Sequence, residues 1–212
     1  MNTYQPMHHN ECRLCGTAAL DPVPSHSNHG VLFFRFPLSV PRLSGQCDTV
    51  NIIVPETLLD ICPVTCGKRL AVTGQLRSYN NKTGMPPRLV ISVLARTLTY
   101  TEEGSCNTVR LCGTICKTPT YRRTPLGRQI CDMILAVNRR YGRADYLPCI
   151  AWGTVAQQTA LLDVGESLCL EGRIQSRTYA KTLSTGQSEE RTAYEVSVMR
   201  PLAPEEVLFP RF

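Results

Sequence analysis

The sequence predicts an all-β protein built from two tandem copies of one small fold, with one short helix in each copy. Two observations carry this prediction. Three segments of the first half recur in the second half in the same order, two of them at an offset of 97 or 98 residues and the third at a slightly larger one. Most segments between turn signals alternate apolar and polar side chains, which is the period of a β-strand with one buried face.

The repeat sets the predicted domain boundaries. Its three segment pairs are 14–17 with 111–114, 69–81 with 167–179, and 88–96 with 193–200. A unit of this length is longer than a solenoid repeat and has the size of a small domain. We therefore predict one domain at 1–103, a second at 104–203, and a short tail at 204–212.

Each predicted domain consists of strands, one short helix and further strands. In the second domain, Leu168, Leu170 and Ile174 fall on one face of a strand, while Glu171 and Arg173 fall on the other. Further strands are predicted at 128–140 and 146–152, helices at 154–162 and more briefly at 55–60, and turns at 80–84 and 185–190. Because no segment leaves room for βαβ crossovers, we predict a five-stranded Greek-key barrel, the OB-fold, in each domain.

The composition favours a folded cytoplasmic protein. Hydrophobic residues make up 42% of the chain, yet no apolar run is long enough to span a membrane. Residues 1–11 lack the basic start and apolar core of a signal peptide. The cysteine count is odd, at 11, and several cysteines lie in apolar runs. This pattern predicts reduced, buried thiols rather than the disulfide framework of a secreted protein.

Cys12 and Cys15 raise the question of a metal site, because His26 and His29 follow at a spacing close to that of a zinc finger. Residues three apart on a strand point to opposite faces, so this pair needs a tight turn to share a metal. No histidine follows His29, so the second half cannot repeat such a site. We predict structural cysteines and no metal, with zinc as the alternative.

Charge permits a phosphate-bearing partner, and the missing catalytic motifs argue against an enzyme. The net charge is +6, residues 104–200 contribute +5 of it, and 11 of their 13 basic residues are arginine. An arginine-rich positive surface suits a phosphate-bearing partner. The chain has no nucleophile elbow, no Gly-rich phosphate loop, no HExxH and no paired carboxylates in a catalytic frame. We therefore expect neither catalysis nor a cofactor.

Five motifs of the second half occur in a specific order: "NTVRLCGTICKTP", "YRRTPLGRQICDMILAVNRRYG", "DYLPCIAWGTVAQQ", "VGESLCLEGRIQSRTY" and "TAYEVSVMR". Together they make residues 107–200 resemble the bacterial single-stranded DNA-binding proteins. The resemblance implies an OB-fold that coats single-stranded DNA during replication, recombination and repair. It also implies association, since the family forms tetramers of single domains or dimers of tandem ones. We expect a homodimer with four OB-folds.

The candidate DNA-binding residues combine flat rings, which stack on bases, with cations, which neutralise the backbone. The resemblance implies base stacking on four aromatic positions, which are Tyr141, Tyr146, Trp152 and Tyr179. By spacing, Tyr146 and Trp152 share one strand face, and Arg173 and Arg177 share another with Tyr179. The remaining candidates are loop arginines next to tyrosines: Arg122, Arg123, Arg139, Arg140 and Arg143.

The first domain departs from this pattern. At offsets of 97 and 98 residues, its counterparts of the four aromatic positions are Ser44, Asp48, Val54 and Asn81. Arg42, Arg77 and Tyr79 remain as secondary candidates. We therefore predict an asymmetric protein, in which the second domain grips DNA and the first binds weakly or serves dimer contacts.

Two further questions stay open at this stage. The tail carries Glu205, Glu206 and a terminal Phe212, so it is either a shortened docking peptide for replication or repair proteins or a segment packed on the barrel. Two alternative functions share the same fold: a primosome- or plasmid-type accessory protein acting through protein contacts, and an RNA-binding protein.

Overall fold

The structure, a computed structural model, describes residues 8–81, 89–182 and 188–208. Strands dominate these residues, and the helices among them are short. The strands are β1 (His9–Ala18), β2 (Val23–Asn28), β3 (Val31–Pro41), β4 (Cys47–Pro55), β5 (Arg69–Asn80), β6 (Leu89–Tyr100), β7 (Cys106–Ile115), β8 (Thr120–Arg123), β9 (Gln129–Asn138), β10 (Ala144–Trp152), β11 (Ser167–Thr182) and β12 (Ser188–Pro201). The helices are α1 (Glu56–Ile61), α2 (Gly153–Thr159) and α3 (Pro204–Leu208), with one 3-10 turn at Arg140–Gly142.

The chain forms two compact units. The N-terminal unit comprises Cys12–Asn107 together with Ile174–Tyr194, and the C-terminal unit comprises Thr108–Arg173 together with Met1–Glu11 and Glu195–Phe212. The outer part of the β11–β12 hairpin thus belongs to the N-terminal unit, although its strands begin and end in the other. The domain boundary at residue 103 was predicted from the sequence repeat, and it stays a prediction.

Five strands close a barrel in the N-terminal unit. β3 pairs antiparallel with β4, β4 parallel with β6, β6 antiparallel with β5, and β5 antiparallel with β1. β1 returns to β3 through Thr17 and Ser39, which completes the ring, and β2 adds an outer strand to β3. The core is filled by the inward row of each strand, with Leu14, Phe36, Leu38, Ile52, Leu70 and Leu76 fully buried.

The C-terminal unit closes the same ring. β9 pairs with β10, β10 parallel with β12, and β11 with β7. β7 meets β9 through Thr114 and Ala136, which are Thr17 and Ser39 shifted by 97 residues. Its fully buried side chains include Leu111, Ile115, Leu135, Leu147 and Leu170. The fold prediction is therefore confirmed: both repeats are five-stranded barrels with one short helix after the fourth or tenth strand.

A glycine occupies the strand crossing at which each barrel closes. A Cβ on Gly16 would lie 2.4 Å from the carbonyl oxygen of Ser39, and a Cβ on Gly113 would lie 2.5 Å from that of Ala136. No side chain larger than hydrogen fits at these distances, because the facing atom is backbone and cannot rotate away. Barrel closure thus explains the glycine of the repeated Leu-Cys-Gly-Thr motif.

The helices follow the prediction closely. α2 lies within 154–162 except for its first residue, and it ends three residues earlier than predicted. α1 matches the brief helix predicted at 55–60, offset by one residue. Most of the two predicted turns, at 80–84 and 185–190, lies outside the described residues. Every helix in the described part of the chain is too short to span a bilayer.

The prediction for the cysteines was wrong for one pair. Cys112 and Cys169 form a disulfide, whereas the sequence predicted reduced thiols throughout. The two residues stand directly opposite each other in the antiparallel β7–β11 pair, a register that the sequence does not reveal. The other nine cysteines form no disulfide. In the N-terminal unit Cys15 faces Ala71 at the matching position, so no second disulfide forms there.

Cys12 and Cys15 both lie buried within the continuous strand β1. His26 and His29, the other members of the zinc hypothesis, are exposed, and His26 stacks on Phe33 with ring centroids 4.9 Å apart. Across the described ranges, no group of three or more His, Cys, Asp or Glu side chains could hold a metal ion.

We predict that the unfolded, unreduced protein exposes nine titratable thiols, because the Cys112–Cys169 disulfide survives denaturation without a reductant. Reduction before denaturation should raise the count to all 11 cysteines. Thiol titration in guanidinium measures both values. The Cys112→Ser variant is the control: every cysteine that it retains should react without reduction. Eleven thiols in the unreduced wild type would contradict the disulfide.

Candidate nucleic-acid interface

The outward side of strands β8, β9 and β10 forms the first candidate surface, which we call the aromatic face. Along β10, Asp145, Leu147 and Cys149 point inward and are buried, so the alternation directs Tyr146 and Trp152 outward. The two rings are 53% and 38% exposed. Six residues of strand separate them by roughly 20 Å, a span over which an extended polynucleotide could contact both.

Register across the three strands adds a cation to the aromatic face. Ile130 of β9 stands opposite both Trp152 of β10 and Arg122 of β8, which places these three residues in one row. The Arg122 Nε donates to Asp132 Oδ2 at 2.7 Å, and both side chains are partly exposed. Because surface ion pairs are weak, the guanidinium stays available to a stronger anion such as a phosphate.

A hollow of about 190 Å³ lies on this side of the unit. Its lining includes Thr120, Ile134 and Pro148, together with Lys117. Asp132 and Glu195 also line it, so the hollow combines one cation with two carboxylates. This composition suits a neutral ring better than a phosphate.

The loop between β9 and β10 presents the most exposed aromatic ring of the candidate set. Tyr141 is 97% exposed and has a φ of +67°, in the left-handed region that a non-glycine residue rarely adopts. Arg140 and Arg143 flank it and are exposed as well. An apolar ring that is both unpacked and held in an unfavourable backbone conformation points to a binding role.

Arg139 anchors this loop. Its Nε donates to Asp145 Oδ2 at 2.8 Å, and its Nη2 donates to the other carboxylate oxygen. The Asp145 side chain is fully buried, so the guanidinium offsets part of the cost of removing the carboxylate from water. The Arg139 N–H also donates to the Arg143 carbonyl at 2.6 Å, which closes the loop. Arg139 therefore shapes the loop, and its charge is already paired.

The second candidate surface lies in the N-terminal unit, on the outer part of β11 and β12. The Arg177 guanidinium lies over the Tyr179 ring, 5.5 Å from its centroid, and both side chains are exposed. Arg173, which was predicted to share their face, belongs to the C-terminal unit. The predicted trio is therefore divided between the two compact units.

A groove of about 750 Å³ runs beside Arg177 in the N-terminal unit. Its lining is polar and includes two arginines. The lining residues are Arg42, Gln46, Cys47, Thr49, Gln175, Ser176, Arg177, Thr178, Thr192 and Tyr194. Among these described residues none is acidic, so the groove is suited to an anionic chain. The other secondary candidates lie on β5, where Tyr79 is 55% exposed and Arg77 donates to Gln75 Oε1.

Arg42 repeats the anchoring geometry of Arg139. Its Nε donates to Asp48 Oδ2 at 2.7 Å, and Asp48 is fully buried. The two ion pairs are related by an offset of 97 residues. Sequence reasoning missed both aspartates as anchors, although the Arg-x5-Asp spacing recurs in the two halves and could have revealed them.

This repeat corrects two of the predicted counterparts. β3–β4 and β9–β10 share one register at an offset of 97, so Tyr146 corresponds to Thr49, and Trp152 corresponds to Pro55. The sequence comparison had applied the offset of 98, which holds only for β5 and β11, and had matched them with Asp48 and Val54. The loss of aromatic rings from the first repeat is unaffected.

Comparisons with known proteins identify relatives of the second repeat. Residues 106–202 match the model of the single-strand binding protein family. A protein of Bacillus subtilis named single-stranded DNA-binding protein B is 38% identical over 80 residues, which cover 34% of this chain and 71% of that protein. The chain belongs to the single-strand binding protein family. A Clostridium tetani relative, named single-stranded DNA-binding protein, is 36% identical over 80 residues, 34% of this chain.

The matched segment makes up only part of the length of each of these relatives. The chain spans about half the length of the first relatives it matches, with 55% for the Clostridium tetani protein. The fold likeness is broader. The wild-type single-stranded DNA binding protein from Thermus aquaticus superposes with a TM-score of 0.74 over 93% of either chain, at 22% identity. That likeness in fold supports the description of this chain as two tandem OB-folds.

We predict that Asp145→Asn lowers the free energy of unfolding by about 3 kcal/mol, because it leaves the Arg139 guanidinium without its buried carboxylate. Urea denaturation followed by circular dichroism measures the change. Asp132→Asn is the matched control: its ion pair with Arg122 is partly exposed, so we expect a loss of less than about 1 kcal/mol. Equal losses in the two variants would contradict the anchoring role of Asp145.

Proposed function

We propose that this chain binds single-stranded DNA without sequence specificity and protects it during replication, recombination or repair. The observation that carries the proposal is the exposure of Tyr141, Tyr146 and Trp152 in the C-terminal unit, with arginines beside them. Exposed aromatic rings next to cations are the combination with which proteins bind single-stranded nucleic acid. The names of the family's relatives point to the same ligand.

Base stacking supplies the apolar part of the interaction. Unpaired bases stack on aromatic rings whatever their sequence, and each stacked base contributes roughly 1–3 kcal/mol. Tyr141 offers its ring from the loop, while Tyr146 and Trp152 offer theirs from the strand. Tyr179 extends the set on the N-terminal unit. Bases held on these rings cannot pair with a complementary strand, which is how binding protects the DNA.

Phosphate contacts supply the electrostatic part. Six arginines are assigned to the backbone: Arg122, Arg123, Arg140, Arg143, Arg173 and Arg177. Arg139 is assigned to loop structure instead, because its guanidinium is committed to Asp145. Each neutralised phosphate of a single strand contributes about −0.7 to the slope of log affinity against log salt concentration. Engagement of all six sites therefore corresponds to a slope of about −4.

The proposal keeps the two units unequal. The C-terminal unit carries the aromatic face and the loop, and the N-terminal unit contributes Arg177, Tyr179 and the polar groove. Association into a homodimer with four OB-folds, a cytoplasmic location, and recruitment of replication or repair proteins through the tail complete the proposal. In the tail, Val207 of α3 is buried against Leu202 and the Cys112–Cys169 pair, while residues 209–212 lie outside the described residues.

The function is tested on the full chain by titration with oligo-dT, oligo-U and duplex DNA at one salt concentration. Trp152 is the only tryptophan, so its fluorescence reports directly on stacking at the aromatic face. We expect oligo-dT to quench it at the lowest concentration, with little dependence on base sequence. Preferential binding of duplex DNA, or saturation by oligo-dT without quenching, would contradict the proposed interface.

We predict opposite effects of Tyr141→Gly on stability and on binding. Glycine adopts a φ of +67° without the penalty that tyrosine incurs, so the free energy of unfolding should rise by about 1 kcal/mol. Affinity for oligo-dT should fall by about 5-fold to 20-fold, because one stacking ring is lost. Denaturant unfolding and fluorescence anisotropy measure the two quantities.

Tyr141→Phe is the control for this prediction, since it keeps the ring and the backbone conformation. Its affinity should remain within about 2-fold of the wild type, because stacking does not need the hydroxyl. If Tyr141→Gly binds oligo-dT as tightly as Tyr141→Phe, the loop does not contact DNA.

A further inference from the structure

The outer part of the β11–β12 hairpin, which we call the arm, is held by specific side chains of the N-terminal unit. The described part of the arm comprises residues 174–182 and 188–194. Both of its strands contact the barrel. On β12, the Tyr194 hydroxyl accepts a hydrogen bond from Asn51 Nδ2 at 3.3 Å. On β11, the contacts converge on Ser176.

Asp48 is the centre of the contacts on β11. Its Oδ1 accepts the backbone N–H of Ser176 at 2.8 Å and lies 3.5 Å from the Ser176 hydroxyl. The same carboxylate accepts the guanidinium of Arg42. A fully buried carboxylate is stable only when donors surround it, and here the donors come from both the barrel and the arm.

Two further hydrogen bonds fix Ser176 against the barrel. The Thr49 N–H donates to the Ser176 hydroxyl at 3.1 Å, and Arg42 Nη2 donates to the Ser176 carbonyl oxygen at 3.3 Å. The N–H, the carbonyl and the hydroxyl of one residue are thus all engaged by β4 and the segment before it. Contacts that use every polar group of a residue define its orientation as well as its position.

The orientation of Ser176 determines where its neighbours point. Adjacent side chains on a strand leave opposite faces, so a Ser176 turned toward Asp48 turns Arg177 away from it. Tyr179 is two residues farther along and shares the Arg177 face. We call the hydrogen bonds that hold Ser176 at Asp48 the clamp. The clamp therefore sets the direction in which the exposed Arg177 and Tyr179 side chains point.

We propose that Asp48 is a positioning residue for nucleic-acid binding, which acts by clamping Ser176 so that Arg177 and Tyr179 face the DNA. This inference rests on the proposed function of those two residues. It gives the first repeat a role in DNA binding although this repeat lacks the aromatic rings of the second. Arg42, which the sequence suggested as a secondary DNA contact, supports Asp48 instead.

Asp48→Asn tests the clamp, with Glu103→Gln as the matched control. Glu103 pairs with Arg13 at an exposed site of the same unit. Each of the two substitutions removes one negative charge, so both raise the net charge of the protein by one. General electrostatics predicts slightly tighter DNA binding for both variants. The clamp predicts that Asp48→Asn alone binds oligo-dT more weakly, by about 5-fold to 10-fold, as expected for one lost charge-assisted contact.

A second measurement needs no DNA. Hydrogen exchange followed by mass spectrometry reports the opening of the arm, and the peptide containing residues 174–182 should exchange at least about tenfold faster in Asp48→Asn, because the Ser176 N–H loses its charged acceptor. Peptides of β7 and β9 should be unchanged. Unchanged exchange in the arm overturns the clamp, and faster exchange with wild-type affinity overturns the positioning role.

A combined variant separates this inference from the function on which it rests. If Asp48 acts through Arg177 and Tyr179, adding Asp48→Asn to the Arg177→Ala/Tyr179→Ala variant should weaken binding by less than about 2-fold beyond that variant alone. If the losses multiply instead, Asp48 does not act through these two residues, and the positioning role is overturned. Wild-type affinity of Arg177→Ala itself overturns the proposed DNA contact, whereas the exchange experiment still decides whether the clamp exists.

A milder variant keeps the inference testable if Asp48→Asn unfolds the barrel. Ser176→Ala combined with Tyr194→Phe removes one hydroxyl from each strand of the arm and leaves Asp48 paired with Arg42. Exchange in the arm should rise, and the affinity for oligo-dT should fall by about 2-fold to 3-fold, since neutral hydrogen bonds contribute less than charged ones. Wild-type exchange and affinity in this variant overturn the inference.

Discussion

A buried carboxylate bound by an arginine organises the same place in both repeats. Asp48 and Asp145 are fully buried, and each carboxylate is bound by the guanidinium of an arginine six residues earlier in the chain. Removing either partner would strand a charge away from water, so the loop cannot rearrange without a large loss of stability. The same ion pairs fix the backbone that carries the exposed side chains nearby. Tyr141 is presented by a loop that Arg139 closes, and Arg177 follows a serine that Asp48 holds.

The two repeats share a frame and differ in their surfaces. Barrel closure depends on the same glycine crossing and the same register, because backbone contacts there leave no space for a side chain. Surface positions carry no such constraint. The aromatic rings at Tyr146 and Trp152 are therefore matched by Thr49 and Pro55 in the first repeat without cost to the fold. The disulfide differs in the same way, since Ala71 stands where the second repeat has Cys169.

Sequence reasoning was reliable where the signal was local and periodic. Strand alternation predicted the inward rows of β5 and β11, and helices were expected within a few residues of α1 and α2. It failed where two distant segments had to be placed side by side. The Cys112–Cys169 pair and the contact of Asp48 with Ser176 both join residues far apart in the chain, and no local pattern gives the register that brings them together. The one-residue change of offset between β4 and β5 was missed for the same reason.

The sequence by itself determined the repeat, the all-β barrels, the family, and the set of rings and arginines that are candidates for binding. These properties follow from spacing and residue type, which are fixed along the chain. Only the tertiary structure decided which of those arginines are already paired, and which unit holds the outer part of the β11–β12 hairpin. Charge pairing depends on distances of a few ångströms between segments that fold together, and burial sets how strongly each pair is held. A sequence specifies those distances only through the complete fold.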